Sequence, residues 1–355
     1  MKSLVLAGGS GTRLRPLTHT SPKQLLPVAD RPVLLHILDR IREAGVTDVG
    51  IIAGENMDQI SSILGNGNDI GLQLTYLHQE KPLGLAHAVI TAQDFLDRDP
   101  FLMFLGDIFL DGHIMKETQR FREDPEVSRI LLTHVSDPRE LGVVELDDNG
   151  RPTRLREKPG RPTSNVVLTG IYFFSEAMHQ AVWSISPGDR GELEITDAIQ
   201  WLIDRGHPVE ADMVDGGWKD TGNPSDLLDV NRRELRKLHG EIHGDVDTAS
   251  SLHGEVRIAE GSTVIRSRIH GPVTIGHNCV ITDSTIGPFT SVSEGSRITS
   301  ASVENSIVLA HATVHGVGDI SASLIGRHAE VRRASSSTTK HTFVIGDHSG
   351  AEVRG

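Results

Sequence analysis

Directly after the apolar run Ser3–Ala7 the chain reads Gly8-Gly9-Ser10-Gly11-Thr12-Arg13-Leu14-Arg15-Pro16. Glycines at this density let backbone N–H groups approach anion oxygens closely, and Arg13 and Arg15 add positive charge beside them. The chemistry open to such a loop is polyphosphate binding. Two better-known phosphate loops do not fit. A Walker A loop would end in Gly-Lys-Ser/Thr, and a dinucleotide fingerprint would need glycine where Leu14 stands. A purely structural glycine turn is the competing reading. The two arginines, with Pro22-Lys23 close behind, favour phosphate.

Two carboxylates extend that chemistry. Asp107 follows the apolar run Phe101–Leu105, and Asp220 lies in a turn rich in glycine and tryptophan before a helical stretch. A lone aspartate after a strand ordinarily serves a turn or cap. As a pair at strand ends, Asp107 and Asp220 suit Mg²⁺ held against phosphate oxygens.

These residues need a frame. Apolar runs at Ser3–Ala7, Val49–Ala53, Leu72–Leu77, Phe101–Leu105, Ile130–Val135 and Val166–Phe174 read as strands. Helical stretches lie between them, one opening at Pro32 and stopping at Gly45, with later ones near Glu194–Arg205 and Pro224–Leu238. The alternation predicts an α/β fold with a mostly parallel, Rossmann-like sheet, and ligands bind beyond the carboxyl ends of such strands. From about residue 256 the period changes. Branched apolar residues recur every five or six positions, from Ile258, Val264, Ile269 and Ile275 through to Ile325 and Val331. That is a hexapeptide repeat, the signature of a parallel β-helix. Two domains are expected, 1–240 and 241–355, joined by the polar stretch His239–Ser251.

Composition excludes several classes. The chain has 355 residues and a formal net charge of -13, a poor match to sequence-independent nucleic-acid binding. No apolar run approaches the ~20 residues that span a bilayer, and the start lacks the longer apolar stretch of a signal peptide. A soluble, cytoplasmic chain with no membrane or nucleic-acid partner is therefore expected. The 18 histidines lack zinc spacing and read mostly as surface residues. Cys279, the single cysteine, reads as a packing residue.

The loop and Ser21-Pro22-Lys23-Gln24-Leu25-Leu26-Pro27-Val28 resemble the sugar-1-phosphate nucleotidyltransferase family. The likeness continues through Gln79-Glu80-Lys81-Pro82-Leu83-Gly84-Leu85-Ala86-His87-Ala88, Leu105-Gly106-Asp107, Glu157-Lys158-Pro159, Gly191-Glu192-Leu193-Glu194-Ile195-Thr196-Asp197 and Trp218-Lys219-Asp220-Thr221-Gly222. It points to the family's long form, which carries a left-handed β-helix tail. The resemblance implies nucleotidyl transfer from dTTP to glucose 1-phosphate, with Mg²⁺ as cofactor and a homo-oligomer as the assembly. Another nucleoside triphosphate, such as UTP or GTP, or an unusual sugar or cyclitol phosphate is the near alternative. A non-catalytic nucleotide-sugar binder is the alternative from another class. A second, acyl-transfer activity in the tail would call on His311, His315 or His328.

Residue by residue, the resemblance places Arg15 and Lys23 at the triphosphate and Asp107 with Asp220 on the metal. Nucleotide contacts fall on Leu6, Ala7, Gly8, Gly9, Gly11, Thr12, Arg13, Gln24, Gln79, Pro82, Gly84, Leu85 and Gly106. Gln79 is the base reader, since an amide can both donate and accept and so matches the N3–H and O4 edge of thymine or uracil. The sugar phosphate falls to Gly142, Glu157, Lys158, Val167 and Gly170. Two departures stand out: Ile108 occupies a position usually held by Asn, and Gln200 a position held by Arg in short-form relatives.

Overall fold

Leu4, Val5 and Ala7 are fully buried, as expected of a strand covered on both faces. That strand, Lys2–Leu6, is the centre of a nine-stranded sheet. The structure, a computed structural model, describes residues 1–9, 11–214, 217–334, 344–347 and 350–354. Side chains of Ala334, Val344 and 350–354 are not among those described. Ser10 lies outside the described residues. The chain forms two compact units, Met1–Gly9 with Leu34–Lys219, and Ser10–Val33 with Asp220–Gly355. Among the described residues no helix is long and apolar enough to cross a membrane.

In the first unit, Gln73–His78, Asp48–Ala53, Lys2–Leu6 and Phe101–Leu105 run parallel in that order across the sheet. Val166–Phe174, buried along its whole length, pairs antiparallel to Phe101–Leu105 and carries the sheet on to Gly142–Leu146 and Pro152–Glu157. Ser128–His134 also pairs with Val166–Phe174, and Val209–Met213 joins it in parallel. Gly142–Leu146 buries three residues in a row and is too short to stand out, and Pro152–Glu157 and Val209–Met213 are interrupted by polar or exposed residues, so none reads as an apolar run. Strand order reverses between Lys2–Leu6 and Phe101–Leu105. That is a switch point, where open α/β sheets leave a crevice beyond their carboxyl ends.

The second unit holds the β-helix. Parallel strands stack into three sheets of seven, seven and five strands among the described residues, the arrangement expected of the left-handed form. Ile258, Ile275, Val292, Val308 and Ile325 form one inward column, each fully buried. Val264, Ile281, Ile298, Val314 and Val331 form the second, and Ile269, Ile286, Val303 and Ile320 the third. Between columns runs a hydroxyl ladder. Ser262 Oγ donates to Gly276 O and accepts from Cys279 N, and Ser267 Oγ accepts from Ser284 N, whose own Oγ accepts from Ala301 N. These hydroxyls satisfy backbone groups that burial would otherwise leave without partners. Cys279 is fully buried in this wall and its thiol is pushed up to about 11, chiefly by burial. It packs rather than reacts, as its setting in the sequence suggests.

The coil starts earlier than its sequence period. Glu241–Ile242, Asp245–Val246 and Ser251–His253 already pair with the next turn, so most of the stretch read as a linker is the first turn of the coil. Its inward residues are incompletely covered, Ile242 being 44% exposed. A terminal turn covered from one side only loses the regular apolar signal.

Residues 11–33 pack with the coil. Arg257 donates to Ala29 O at 3.1 Å, and Asn231 Oδ1 accepts from Ala29 N at 2.8 Å and from Ser291 Oγ at 2.6 Å. Thr20 Oγ1 donates to Asp347 Oδ2, and Asp347 Oδ1 also accepts from Arg327 N. Gly346 lies so close to Pro16 that a Cβ there would stand 2.8 Å from the proline ring. Asp30 approaches Gly276, whose added Cβ would lie 2.9 Å from Oδ2. Burial pushes the Asp30 carboxyl up to about 6, outweighing Arg257. The folded chain therefore holds that proton more tightly than the unfolded chain, and stability contributed by Asp30 is lost as pH rises from about 4 to about 6. Asp30→Asn is expected to raise Tm above pH 6 relative to the parent and to lose that advantage below pH 4. A pH-independent Tm difference between the two proteins would refute this account.

Candidate active site

Gly8 and Gly9 leave the Lys2–Leu6 strand at the switch point, and Gly106 leaves the neighbouring Phe101–Leu105 strand beside them. Gly106 N donates to Leu6 O at 2.8 Å, and a Cβ on Gly106 would stand 2.7 Å from the same oxygen. No other residue type fits so tight a junction. Asp107 follows immediately, half-buried at the carboxyl end of its strand. Ile108, where an Asn is usual, is buried in the strand Ile108–Leu110. It therefore offers core packing rather than a polar contact.

Gln79 sits at the end of Gln73–His78, donating from its backbone N to Ala53 O at 2.9 Å. The residue is 8% exposed, with Nε2 2.9 Å from His87 Nδ1 and 3.4 Å from Gly84 O. Oε1 lies on the Gly8 side, 3.5 Å from where a Gly8 Cβ would be. His87 Nδ1 and Gly84 O thus both stand within reach of the Gln79 amide nitrogen. Gly84 adopts φ 112°, and a Cβ there would meet Leu193 O at 2.3 Å. Leu193 N donates to Leu83 O and Ala86 N to Leu193 O, so the loop holding Pro82, Gly84 and Leu85 is latched to the Gly191–Leu193 segment.

The residues expected at the sugar phosphate gather in the same unit. Gly142 leaves no room for a side chain: a Cβ would stand 2.9 Å from both Leu168 and Thr196 and 3.3 Å from Glu157 Oε2. Val167 is fully buried beside Gly142–Leu146. Gly170, at φ 87°, sits where the pairing of Val166–Phe174 with Ser128–His134 shifts register, against Leu105. Burial raises the Glu157 carboxyl above its usual range, helped by the nearby Glu194 charge. Lys158 is exposed and held by its backbone N donating to Leu141 O at 3.1 Å.

Gln200 is structural. Its Oε1 accepts from Leu155 N at 2.8 Å and its Nε2 donates to Asp204 Oδ1 at 2.8 Å, tying a helix to the Pro152–Glu157 edge. Beside Lys158, a second cation faces Glu157: Arg190, which the sequence reading did not single out. It donates to Glu194 Oε1 at 2.8 Å, and its Nη2 stands 3.8 Å from Glu157 Oε1. His87 is likewise new; its position inside the Leu85-Ala86-His87-Ala88 motif was its only signal.

The second unit carries the remaining candidates. Gly11 adopts φ 60° and its carbonyl accepts from Thr18 Oγ1 at 2.7 Å, closing the glycine loop on itself. A Cβ on Gly11 would lie 2.9 Å from Thr18 and 3.1 Å from Lys23 Cβ. Thr12 and Arg13 form a short 3-10 turn, Arg15 follows it with an exposed side chain, and Lys23 opens another with the fully buried Gln24. Arg13 Nη2 donates to Asp220 Oδ2 at 3.3 Å, and Gly222 leaves them space, since a Cβ there would stand 2.6 Å from Arg13. No group of three or more His, Cys, Asp or Glu side chains suited to a metal occurs among the described residues. His311 and His328 stack with ring centroids 4.9 Å apart on the outside of the coil, next to Gly295, where a Cβ would stand 2.2 Å from His311 Nδ1.

Glycines closing two adjacent strand ends at the switch point of a parallel sheet are the setting in which α/β enzymes take nucleotides. Residues 2–237 match the nucleotidyl transferase family model, and the chain belongs to that family. It is 50% identical, over the whole of both chains, to glucose-1-phosphate thymidylyltransferase of Streptomyces antibioticus. It is 39% identical to a low-salt glycan biosynthesis nucleotidyltransferase of Haloferax volcanii, over 98% of this chain and 99% of that one. A crystal structure from Bacillus anthracis, assigned as a glucose-1-phosphate thymidylyltransferase and holding sucrose, superposes with a TM-score of 0.63 at 33% identity, covering 68% of this chain and 98% of that one.

Proposed function

We propose that this nucleotidyltransferase joins dTTP to glucose 1-phosphate, giving dTDP-glucose and pyrophosphate. The observation that carries the reading is the 50% identity to the Streptomyces antibioticus enzyme across both full chains, so that the catalytic region and the coil are shared together. Residues 1–240 form the catalytic region in this reading and 241–355 the repeat domain.

An ionised oxygen of the sugar phosphate attacks the α-phosphorus of dTTP, a P–O bond forms, and the α–β bridging bond breaks to release pyrophosphate. No enzyme nucleophile is required, so the chain's task is to position two anions and offset charge as it develops. Arg15 and Lys23 face the triphosphate, with backbone N–H groups of Gly8, Gly9 and Gly11 beside it. Asp107 and Asp220 would hold Mg²⁺, which would supply charge neutralisation at the phosphates. Glu157 accepts a hydrogen bond from a sugar hydroxyl and Lys158 pairs with the sugar phosphate. Arg190 neutralises Glu157 and Glu194, keeping that pocket from repelling an anion.

The test is pyrophosphate release with glucose 1-phosphate and each nucleotide in turn. The expected order of kcat/KM is dTTP, then UTP, with ATP and GTP far behind. A missing methyl is worth about 1–3 kcal/mol in an apolar pocket, so UTP should fall about 10- to 200-fold below dTTP. If a purine nucleotide came first, the thymidylyl reading would fail while the nucleotidyltransferase family assignment stood.

A further inference from the structure

We propose that His87 is a positioning residue that decides which atom of the Gln79 amide meets the base. The inference rests on the reading of Gln79 as base reader. A carbonyl oxygen only accepts, so the amide atom facing Gly84 O must be the donor, Nε2. His87 Nδ1, 2.9 Å from the same Nε2, then accepts the second N–H and carries its own proton on the far ring nitrogen. Oε1 is left on the Gly8 side.

An amide fixed in this sense reads one thing. Thymine and uracil present N3–H, which Oε1 can accept. Cytosine presents a lone pair at the same atom, and two acceptors would face each other in a largely buried place. Of the two contacts, the one to His87 is short and the one to Gly84 O is long. Without His87 the amide keeps only the long contact and is free to turn over, offering Nε2 to cytosine. The histidine is well anchored for this task. It lies on the helix Leu85–Thr91, whose start is latched to Leu193, and its carbonyl accepts from Thr91 Oγ1 at 3.0 Å.

The experiment compares kcat/KM for dTTP and dCTP with glucose 1-phosphate in the parent, His87→Leu, His87→Asn, Gln79→Leu and the double variant His87→Leu/Gln79→Leu. Leucine removes the acceptor. Asparagine puts Oδ1 where Nδ1 was, so it keeps an acceptor at the same distance along the side chain. The parent should strongly prefer dTTP. His87→Leu should shrink the dTTP:dCTP ratio by about tenfold or more, the scale set by one buried polar group losing its partner. His87→Asn should hold the ratio within about threefold of the parent, and the double variant should match Gln79→Leu alone. Equal losses for both nucleotides in His87→Leu, with the ratio unchanged, would mean that His87 only supports the fold and would overturn the inference. A parent indifferent to the two bases, or a Gln79→Leu protein that still prefers dTTP, would instead remove the base-reader assignment and the inference with it.

Discussion

Replacing Asp107 with asparagine is expected to cut turnover on the order of a thousandfold while leaving Tm within about 1 °C of the parent. Asparagine keeps the shape and one oxygen but removes the charge, so a magnesium ion loses a carboxylate while the half-buried site at the strand end stays filled. Electrostatic groups aimed at developing charge are the largest single contributors in reactions of this kind, which is why the effect falls on kcat rather than on nucleotide affinity. Asp220→Asn should behave similarly with one difference. Asp220 shares its charge with Arg13 at 3.3 Å. Its neutralisation leaves Arg13 more available to a phosphate, so nucleotide should bind at least as tightly while turnover collapses. Nucleotide titration and initial rates at rising Mg²⁺ separate the two effects. Near-parental turnover of either variant at saturating Mg²⁺ would take that carboxylate out of the metal site.

The second large effect is expected from removing the coil. On sequence alone, a fragment ending near Lys237 looks self-sufficient, with the β-helix as a separable unit for assembly. The structure puts residues 10–33 and the coil in one compact unit. Cutting the chain at Lys237 strips Arg257 from Ala29, Asp347 from Thr20, Gly346 from Pro16, and both Ser291 and Phe289 from Asn231. Arg15 and Lys23 lie on the segment that loses those supports. The fragment 1–237 is expected to be poorly soluble or, if soluble, to turn over at least about 100-fold more slowly, since a displacement of about 1 Å at a reacting group costs that much. A subtler variant keeps the coil in place. Thr20→Val in the full chain, which removes the donor to Asp347 and keeps the Asp347–Arg327 contact, should slow turnover and raise KM for nucleotide without shifting the melting of the coil. A soluble fragment with parental kcat/KM would show that the loop stands by itself.

What could be read from the sequence, and what could not, follows from geometry. The three columns of the coil announce themselves because each short strand turns one branched residue inward and the next turn repeats it. The opening turn is silent because Ile242, Val246 and Leu252 have cover on one side only. In the first unit the central strands read as apolar runs because both faces are covered. The edge strand Pro152–Glu157 buries just Pro152 and Leu155, too few for a period to show. The site divides in the same way. Gly84, Gly106 and Gly222 can be picked from motifs because neighbouring atoms forbid a Cβ at each. Arg190 cannot, since its meaning lies in Glu157, distant along the chain, and His87 sits within the Gln79 motif but shows its role only once its ring is seen beside the Gln79 amide.

The hydroxyl ladder of the coil sets a rule for its length. Each rung ties a serine to a residue 17 positions on, as Ser262 to Cys279, Ser267 to Ser284 and Ser306 to Ser323. The tail is therefore quantised. Genetic gain or loss of a whole rung of about this size would leave all three columns in line and every serine matched to a new neighbour. An insertion of three or four residues inside a strand would rotate the inward branched residues out to water, and only the turn positions could absorb it. Tails of different length descended from this one should differ by whole rungs, and their small insertions should collect at the corners.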